Sequence, residues 1–291
     1  IIKDDNVYEF QTALITKKDD IPAYVKQKCN EYNEQYHLKA KKIPVLPKTV
    51  GFNEIASEFA KSKKLIIGLN KDDLEIHKFD FNKNFATIVS ALDLSITNDF
   101  VNCLINQIIV VNNKKLIVIN ADDYIINDKY KHLYQYVDKN FDQIFSSLIK
   151  FIGDENKRYI LSNYDRTIFK DNNPLYCVII GIDNFKNRLK DENKLKFGEL
   201  FTNAKELGII NYVLVDSIDK IRKIELESWY KNSINNNSGI WIGSGINDQF
   251  SLKISQKIEE MKEDVPEGFC FVINKGKAHY VKYVSKLDLK L

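Results

Sequence analysis

The chain has 291 residues, 44% hydrophobic and 29% charged, a composition that excludes disorder outside the ends and allows one large domain or two smaller ones. Its net charge of +3 comes from Lys, Asp and Glu interleaved along the chain, with no basic block to serve as a nucleic-acid footprint. Cys29, Cys103, Cys177 and Cys270 are far apart and form no C-x-x-C pair, which argues against zinc and for reduced, buried thiols in a cytosolic compartment.

The alternation in "VYEFQTALI" (7–15) predicts a strand, and "IPAYVKQKCNEYNEQYH" (21–37), with Pro22 at its start, predicts a helix. The two prolines of "KKIPVLPKTV" (41–50) fit an extended crossing segment that joins an N-terminal extension, 1–50, to a main body, 51–291. "KLIIGLNKDDLEIHKFDF" (64–81) predicts a hairpin turning at Asn70-Lys71-Asp72-Asp73. From there strands and helices alternate: strand "FATIVSAL", helix "TNDFVNCLINQIIVV", strand "KKLIVINA", helix "NFDQIFSSLIKFI", strand "LYCVIIGID", helix "KFGELFTNAKELG", strand "INYVLVDSI". Near-continuous apolar strands separated by helices predict an α/β fold with a mostly parallel sheet covered on both faces. "KNRLKDENKLK" (186–196) reads as a solvated connection or exposed helix face, 225–233 as one helix and "NNNS" (235–238) as a mobile loop. "GIWIG" (239–243) and a hairpin turning at Asn274-Lys275-Gly276-Lys277 close the sheet. No run of about 18 apolar residues could span a bilayer. The start at Ile1-Ile2-Lys3 reads as a piece cut from a longer chain, whose anchor, if the parent is a membrane protein, lies outside these residues.

The candidate chemistry begins at "FATIVSALDLSITNDFVNCL" (85–104), a strand, a tight turn and an amphipathic helix. A phosphate loop has the spacing G-x-x-x-x-G-K-[ST]: glycines let backbone N–H groups converge on phosphate, Lys neutralises charge and Ser/Thr ligates magnesium. On that frame the glycines become Ser90 and Ser95, the lysine becomes Ile96, and Thr97 keeps the hydroxyl, while Asp93 adds a negative charge. By itself the stretch is equally a plain strand-to-helix turn.

"CVIIGIDNF" (177–185) ends an apolar run in Asp183, where a magnesium-directing carboxylate sits in nucleotide hydrolases; Asn184 follows in place of the usual Glu, and an amide cannot take a proton from water. Asp183 read alone merely ends a strand and starts a turn. Asp216 and Ser217 occupy the next strand end, a sensor position at which a carboxylate repels phosphate. His37, His77, His132 and His279 have no metal-ligand spacing, and Trp229 and Trp241, with Tyr230 and Ile240, read as core in preference to an exposed apolar recognition surface.

With these elements in order, the chain resembles the FtsK/SpoIIIE branch of P-loop motors, and within it the last ATPase-like domain of the EssC coupling proteins of type VII secretion. The resemblance covers nearly the whole length and rests on "KAKKIPVLPKTV", "IIGLNKDDLEIHKFDFNKN", "CVIIGIDNF", "ELFTNAKELGIINYVLV" and "VPEGFCFVINKGKAHYVKYV". It implies a RecA-like P-loop NTPase fold and a cytosolic domain of a cell-membrane protein that carries three such domains in tandem. ATP and Mg are the family's cofactors; Ser90, Ser95, Ile96 and Thr97 stand at its Walker A positions and Asp183 and Asn184 at its Walker B pair, so weak or absent binding and little hydrolysis are expected. The implied partners are the preceding ATPase domains, a hexamer in the full motor, and secretion substrates bearing a WXG motif, with a role in substrate recognition or regulation. The alternatives are an ATPase active only in the assembled hexamer, with Thr97 and Asp183 holding magnesium, and a DNA translocase, for which the chain lacks a basic stripe.

Overall fold

The computed structural model describes residues 2–3, 6–7, 20–36, 45–52, 55, 58, 64–111, 114–169 and 174–286. Two compact units divide the chain, Ile1–Val45 and Leu46–Leu291. In the first, β1 (Ile2–Lys3) pairs antiparallel with β2 (Asn6–Val7), and α1 spans Ile21–Tyr36. The α1 start is fixed as the sequence suggests: Asp20 Oδ1 accepts from the Ala23 N–H at 3.0 Å, and Pro22 occupies the first turn, where no N–H is needed. The strand expected over 7–15 lies outside the described residues beyond Val7. Cys29 is exposed on α1, against the expectation that all four thiols are buried; Cys103, Cys177 and Cys270 are buried.

The second unit is built on a sheet of eleven strands. They are β3 (Val50–Gly51), β4 (Leu65–Asn70), β5 (Ile76–Phe79), β6 (Ala86–Ala91), β7 (Leu116–Asn120), β8 (Gln135–Val137), β9 (Leu175–Ile180), β10 (Ile210–Ser217), β11 (Gly239–Ile242), β12 (Phe269–Asn274) and β13 (Lys277–Lys286). The order is β5-β4-β13-β12-β11-β6-β10-β9-β7-β8, with β3 on β13. From β11 to β8 every pairing is parallel; β12, β13, β4 and β5 extend the sheet antiparallel. The closing hairpin turns through Lys275 and Gly276, both at positive φ, the backbone a two-residue hairpin turn requires.

Burial on both sides follows from the near-continuous apolar strands. Along β10, Tyr212 and Leu214 enter one core while Val213 and Val215 enter the other, the two-residue period of a strand. The first core is roofed by α3 (Phe141–Leu161), α6 (Glu199–Leu207) and α8 (Ser228–Ser233), through Phe145, Phe201 and Trp229. The second is roofed by α2 (Asn98–Asn106), through Phe100, Leu104 and Ile105. Trp229 and Trp241 are both core, as expected, and each indole N–H is satisfied, by Glu227 and by the carbonyls of Gly243 and Ser244.

Several elements differ from the expectation. The helix over 97–111 is α-helical to Asn106 and then opens into a π turn, Gln107–Val111. There the buried Gln107 amide donates to the Ile66 carbonyl and accepts from its N–H, occupying the strand edge with a side chain. The helix expected over 225–233 forms only from Ser228, as α8, and an unexpected helix, α7 (Ile218–Ile224), precedes it; between them Glu227 has extended backbone, and its carboxylate accepts from Lys186 and Trp229. Within 186–196 most residues are exposed, as a solvated segment requires, but it contains α5 (Asp191–Leu195) and is pinned to α3 by Asp142, which accepts from the Lys190 N–H and from Asn193. "NNNS" is an ordered turn, with Asn235 Oδ1 accepting from the Asn237 N–H and Ser238 buried. No helix among the described residues is long and apolar enough to cross a membrane.

Candidate functional site

Parallel pairing brings the carboxyl ends of β6, β7, β9, β10 and β11 to one edge of the sheet, the edge where open α/β folds bind ligands. The loop after β6 carries the phosphate-loop frame. Asp93 Oδ1 accepts from the Ser95 N–H at 2.9 Å and caps a single 3-10 turn, Leu94–Thr97, that runs directly into α2. No residue from 90 to 97 has positive φ, so the loop lacks the reversed backbone with which glycines wrap a phosphate. The Ser95 N–H, which a phosphate would claim, is taken by Asp93, whose carboxyl that bond holds below the usual range.

The remaining positions are also engaged. Ser90 is buried and donates to the Asp216 carbonyl at 2.8 Å. Thr97 is fully buried; its hydroxyl donates to the Leu94 carbonyl at 2.7 Å, leaving the Tyr124 hydroxyl, 2.8 Å away, to donate to it. Ile96, 45% exposed, lies across Gly243, where an added Cβ would come within 2.6 Å of its Cδ1; Leu92 lies across Gly245 in the same way.

Asp183 is not on strand β9 itself. It lies in the first turn of α4 (Ile182–Asn187), after Gly181, whose φ of 74° reverses the chain against Asp122. Its carboxylate accepts from Asn187 at 3.2 Å and lies 3.6 Å from the Lys223 ammonium. Asn184 donates to Asp122 at 2.5 Å, and the other Asp122 oxygen meets the Lys220 ammonium at 2.5 Å. Asp216 is fully buried, accepts from the Ser217 N–H at 2.9 Å and lies 3.9 Å from Lys220; burial pushes its carboxyl up to about 6, partly offset by Lys220. Asp122, Asp183 and Asp216, from three strand ends, are thus balanced by two lysines of α7.

Of the predicted positions, then, Ser90 is joined to the Asp216 strand, and the Asp183 N–H approaches Asp216 Oδ2 at 3.4 Å; Thr97 and Asp183 share no partner. Beside the loop lies a cleft of about 580 Å³, floored by Ile242, Phe269 and Tyr283 and rimmed by Asp93, Asp99 and Glu267.

No family model matches the sequence, and no curated protein matches it. Solved structures do. The cytoplasmic domain of EssC is similar with a TM-score of 0.65 at 14% identity, over 98% of this chain and 58% of that one. EssC ATPases 2 and 3 from Geobacillus thermodenitrificans give a TM-score of 0.67 at 13% identity, over 93% of this chain and 52% of that one. The chain has the fold of an EssC ATPase domain. It is also similar to Thermomonospora curvata EccC ATPases 2 and 3 in complex with a signal sequence peptide, with a TM-score of 0.59 at 15% identity, over 90% of this chain and 48% of that one. The chain therefore spans about half the length of these EssC and EccC structures, and the likeness is one of the RecA-like ATPase fold.

The EssC-type topology also explains which residues sequence reading missed. Asp122 follows the apolar strand "KKLIVINA" just as Asp183 follows its own, and that shared position was the available signal. Lys220 and Lys223 stand four and seven residues after Asp216, the spacing of one helix face, but their carboxylate partners lie at or just beyond the ends of three different strands.

Proposed function

We propose that this chain is the third ATPase-like domain of a membrane-anchored type VII secretion motor, that its nucleotide site binds Mg-ATP weakly or not at all, and that it acts in substrate recognition or regulation of export. The observation that carries this reading is Ile96 lying over Gly243 at the position of the phosphate-binding lysine, with the Thr97 hydroxyl turned inward. The residues present do not fit a magnesium-bound triphosphate: the loop offers no cation, its free N–H is capped by Asp93, and Asp183 is paired with Lys223. Asn184 cannot serve as a general base, and no hydrolytic step is assigned to this domain.

The proposed setting is beside the preceding ATPase domains of the same chain in a hexameric motor; the EssC and EccC structures of the same fold contain ATPases 2 and 3 together, which supports the neighbouring domains. The EccC structure of the same fold is a complex with a signal sequence peptide, which supports secretion substrates as partners; the substrates proposed for this chain are WXG-bearing proteins and their effectors. Titrating Mg-ATP into the purified chain is expected to give no binding tighter than about 1 mM and no turnover; a micromolar Kd overturns the proposal. In the full-length motor, deletion of the domain is expected to stop export while Asp183→Ala does not.

A further inference from the structure

We propose that the cleft at the former phosphate loop binds an extended segment of a partner protein in which aliphatic residues alternate with Lys or Arg. This rests on the reading that the cleft does not hold nucleotide. Its floor is apolar, from Ile242, Phe269 and Tyr283, and Leu92 and Ile96 stand at its mouth 54% and 45% exposed, an apolar surface that water covers poorly.

Its charged groups are all acceptors. Asp93, Asp99 and Glu267 contribute carboxylates, and among the described residues none of the three has an ion-pair partner; no Lys or Arg lines the cleft. Lys282 reaches the Phe269 ring at 4.9 Å without being part of the lining. Asn98, also in the wall, has a buried Oδ1 with no hydrogen-bond partner among the described residues. The α2 N-terminus, where a phosphate would gain from the helix dipole, already carries Asp99 in its first turn. An occupant that satisfies this surface brings N–H donors and positive charge together with apolar side chains, which a basic amphipathic strand does and a nucleotide does not.

The walls are preformed. The Trp241 indole N–H donates to the carbonyls of Gly243 and Ser244, and Ser244 Oγ accepts from the Val265 N–H at 2.8 Å, so the two segments flanking the cleft are tied together before anything binds.

The test uses the purified chain and a fluorescein-labelled dodecapeptide alternating Leu and Lys, read by fluorescence anisotropy, beside matched peptides with Gln or Glu in place of Lys. The Lys peptide is expected to bind and the other two to bind weakly or not at all. The double variant Asp99→Asn, Glu267→Gln, isosteric at surface positions and checked for an unchanged thermal melt, is expected to weaken the Lys peptide by about tenfold, the scale of two partly exposed ion pairs. Ile96→Arg, which places a guanidinium at the mouth, is expected to abolish binding. Equal binding of the Lys and Gln peptides, no binding of any, or a double variant that binds as tightly as the original overturns the inference. A parallel Mg-ATP titration separates the two readings: micromolar ATP binding overturns the proposed function, whereas silence toward both ATP and the Lys peptide overturns the cleft assignment alone.

Discussion

At the scale of single residues, the Thr97 hydroxyl is committed to the core. It is fully buried between the Leu94 carbonyl and the Tyr124 hydroxyl, so its removal is a packing and hydrogen-bonding event. Thr97→Val is expected to cost about 1–3 kcal/mol, because the Tyr124 hydroxyl is left buried without an acceptor. Adding Tyr124→Phe removes that orphan and is expected to recover part of the loss. Denaturant unfolding of the two single variants and the double variant measures this coupling, and simple additivity would contradict the role. The identities of Ser90, Ser95, Ile96 and Asn184 were legible in the sequence as departures from a nucleotide site. What each side chain does in their place was not, since the acceptor for Ser90 is 126 residues away and that for Asn184 is 62 residues back.

At the scale of elements, the antiparallel extension depends on close backbone approach. A Cβ at Gly68 in β4 would be driven into the Lys282 carbonyl of β13, a backbone atom that cannot rotate away. Gly68→Ala is therefore expected to destabilise the protein by about 1–3 kcal/mol and to raise hydrogen exchange in β4 and β5 before β9 and β10. Uniform exchange across the sheet would show that β4 is not held there. The strands were legible because apolar runs ending in turn residues have a local cause. Helix α7 and the start of α8 at Ser228 were not, because residues 218–233 contain neither Pro nor Gly to mark a boundary, and the chain between the two helices is extended at Glu227, which reaches Lys186 and Trp229. The three-residue strand β8 is too short to show a period and exists through pairing with β7.

At the scale of the whole molecule, a buried carboxyl and a half-buried imidazole make stability depend on pH in opposite directions. Asp216 is raised from 3.8 to about 6 chiefly by burial, so between those values the folded chain holds a proton the unfolded chain has lost. Its contribution is full below the unfolded pKa and is lost as pH rises through about 6. His77 is lowered from 6.5 to about 4 by burial and then by His279, whose ring lies 5.1 Å away; here the unfolded chain binds the extra proton. Its contribution is full above 6.5 and is lost as pH falls through about 4. Relative to the unaltered chain, Asp216→Asn is expected to gain stability as pH rises from about 4 to about 7, and His77→Gln as pH falls over the same range. Denaturant unfolding at each pH checks both, and parallel profiles for the three chains would rule the assignment out.

The amino-acid sequence by itself determined the α/β class, the succession of strands and helices along the chain, and a loop after β6 without glycine or lysine, because strand period, turn residues and missing charges are properties of short stretches. Only the tertiary structure decided what the side chains at the strand ends meet. The ends of β7, β9 and β10 come together through parallel pairing of strands tens of residues apart, and that proximity sets Asp122, Asp183 and Asp216 against Lys220 and Lys223. The same closure lays Ile96 over Gly243 and leaves an apolar cleft with an acceptor rim, because which side chains share a space is fixed by non-local packing and not by their neighbours in sequence.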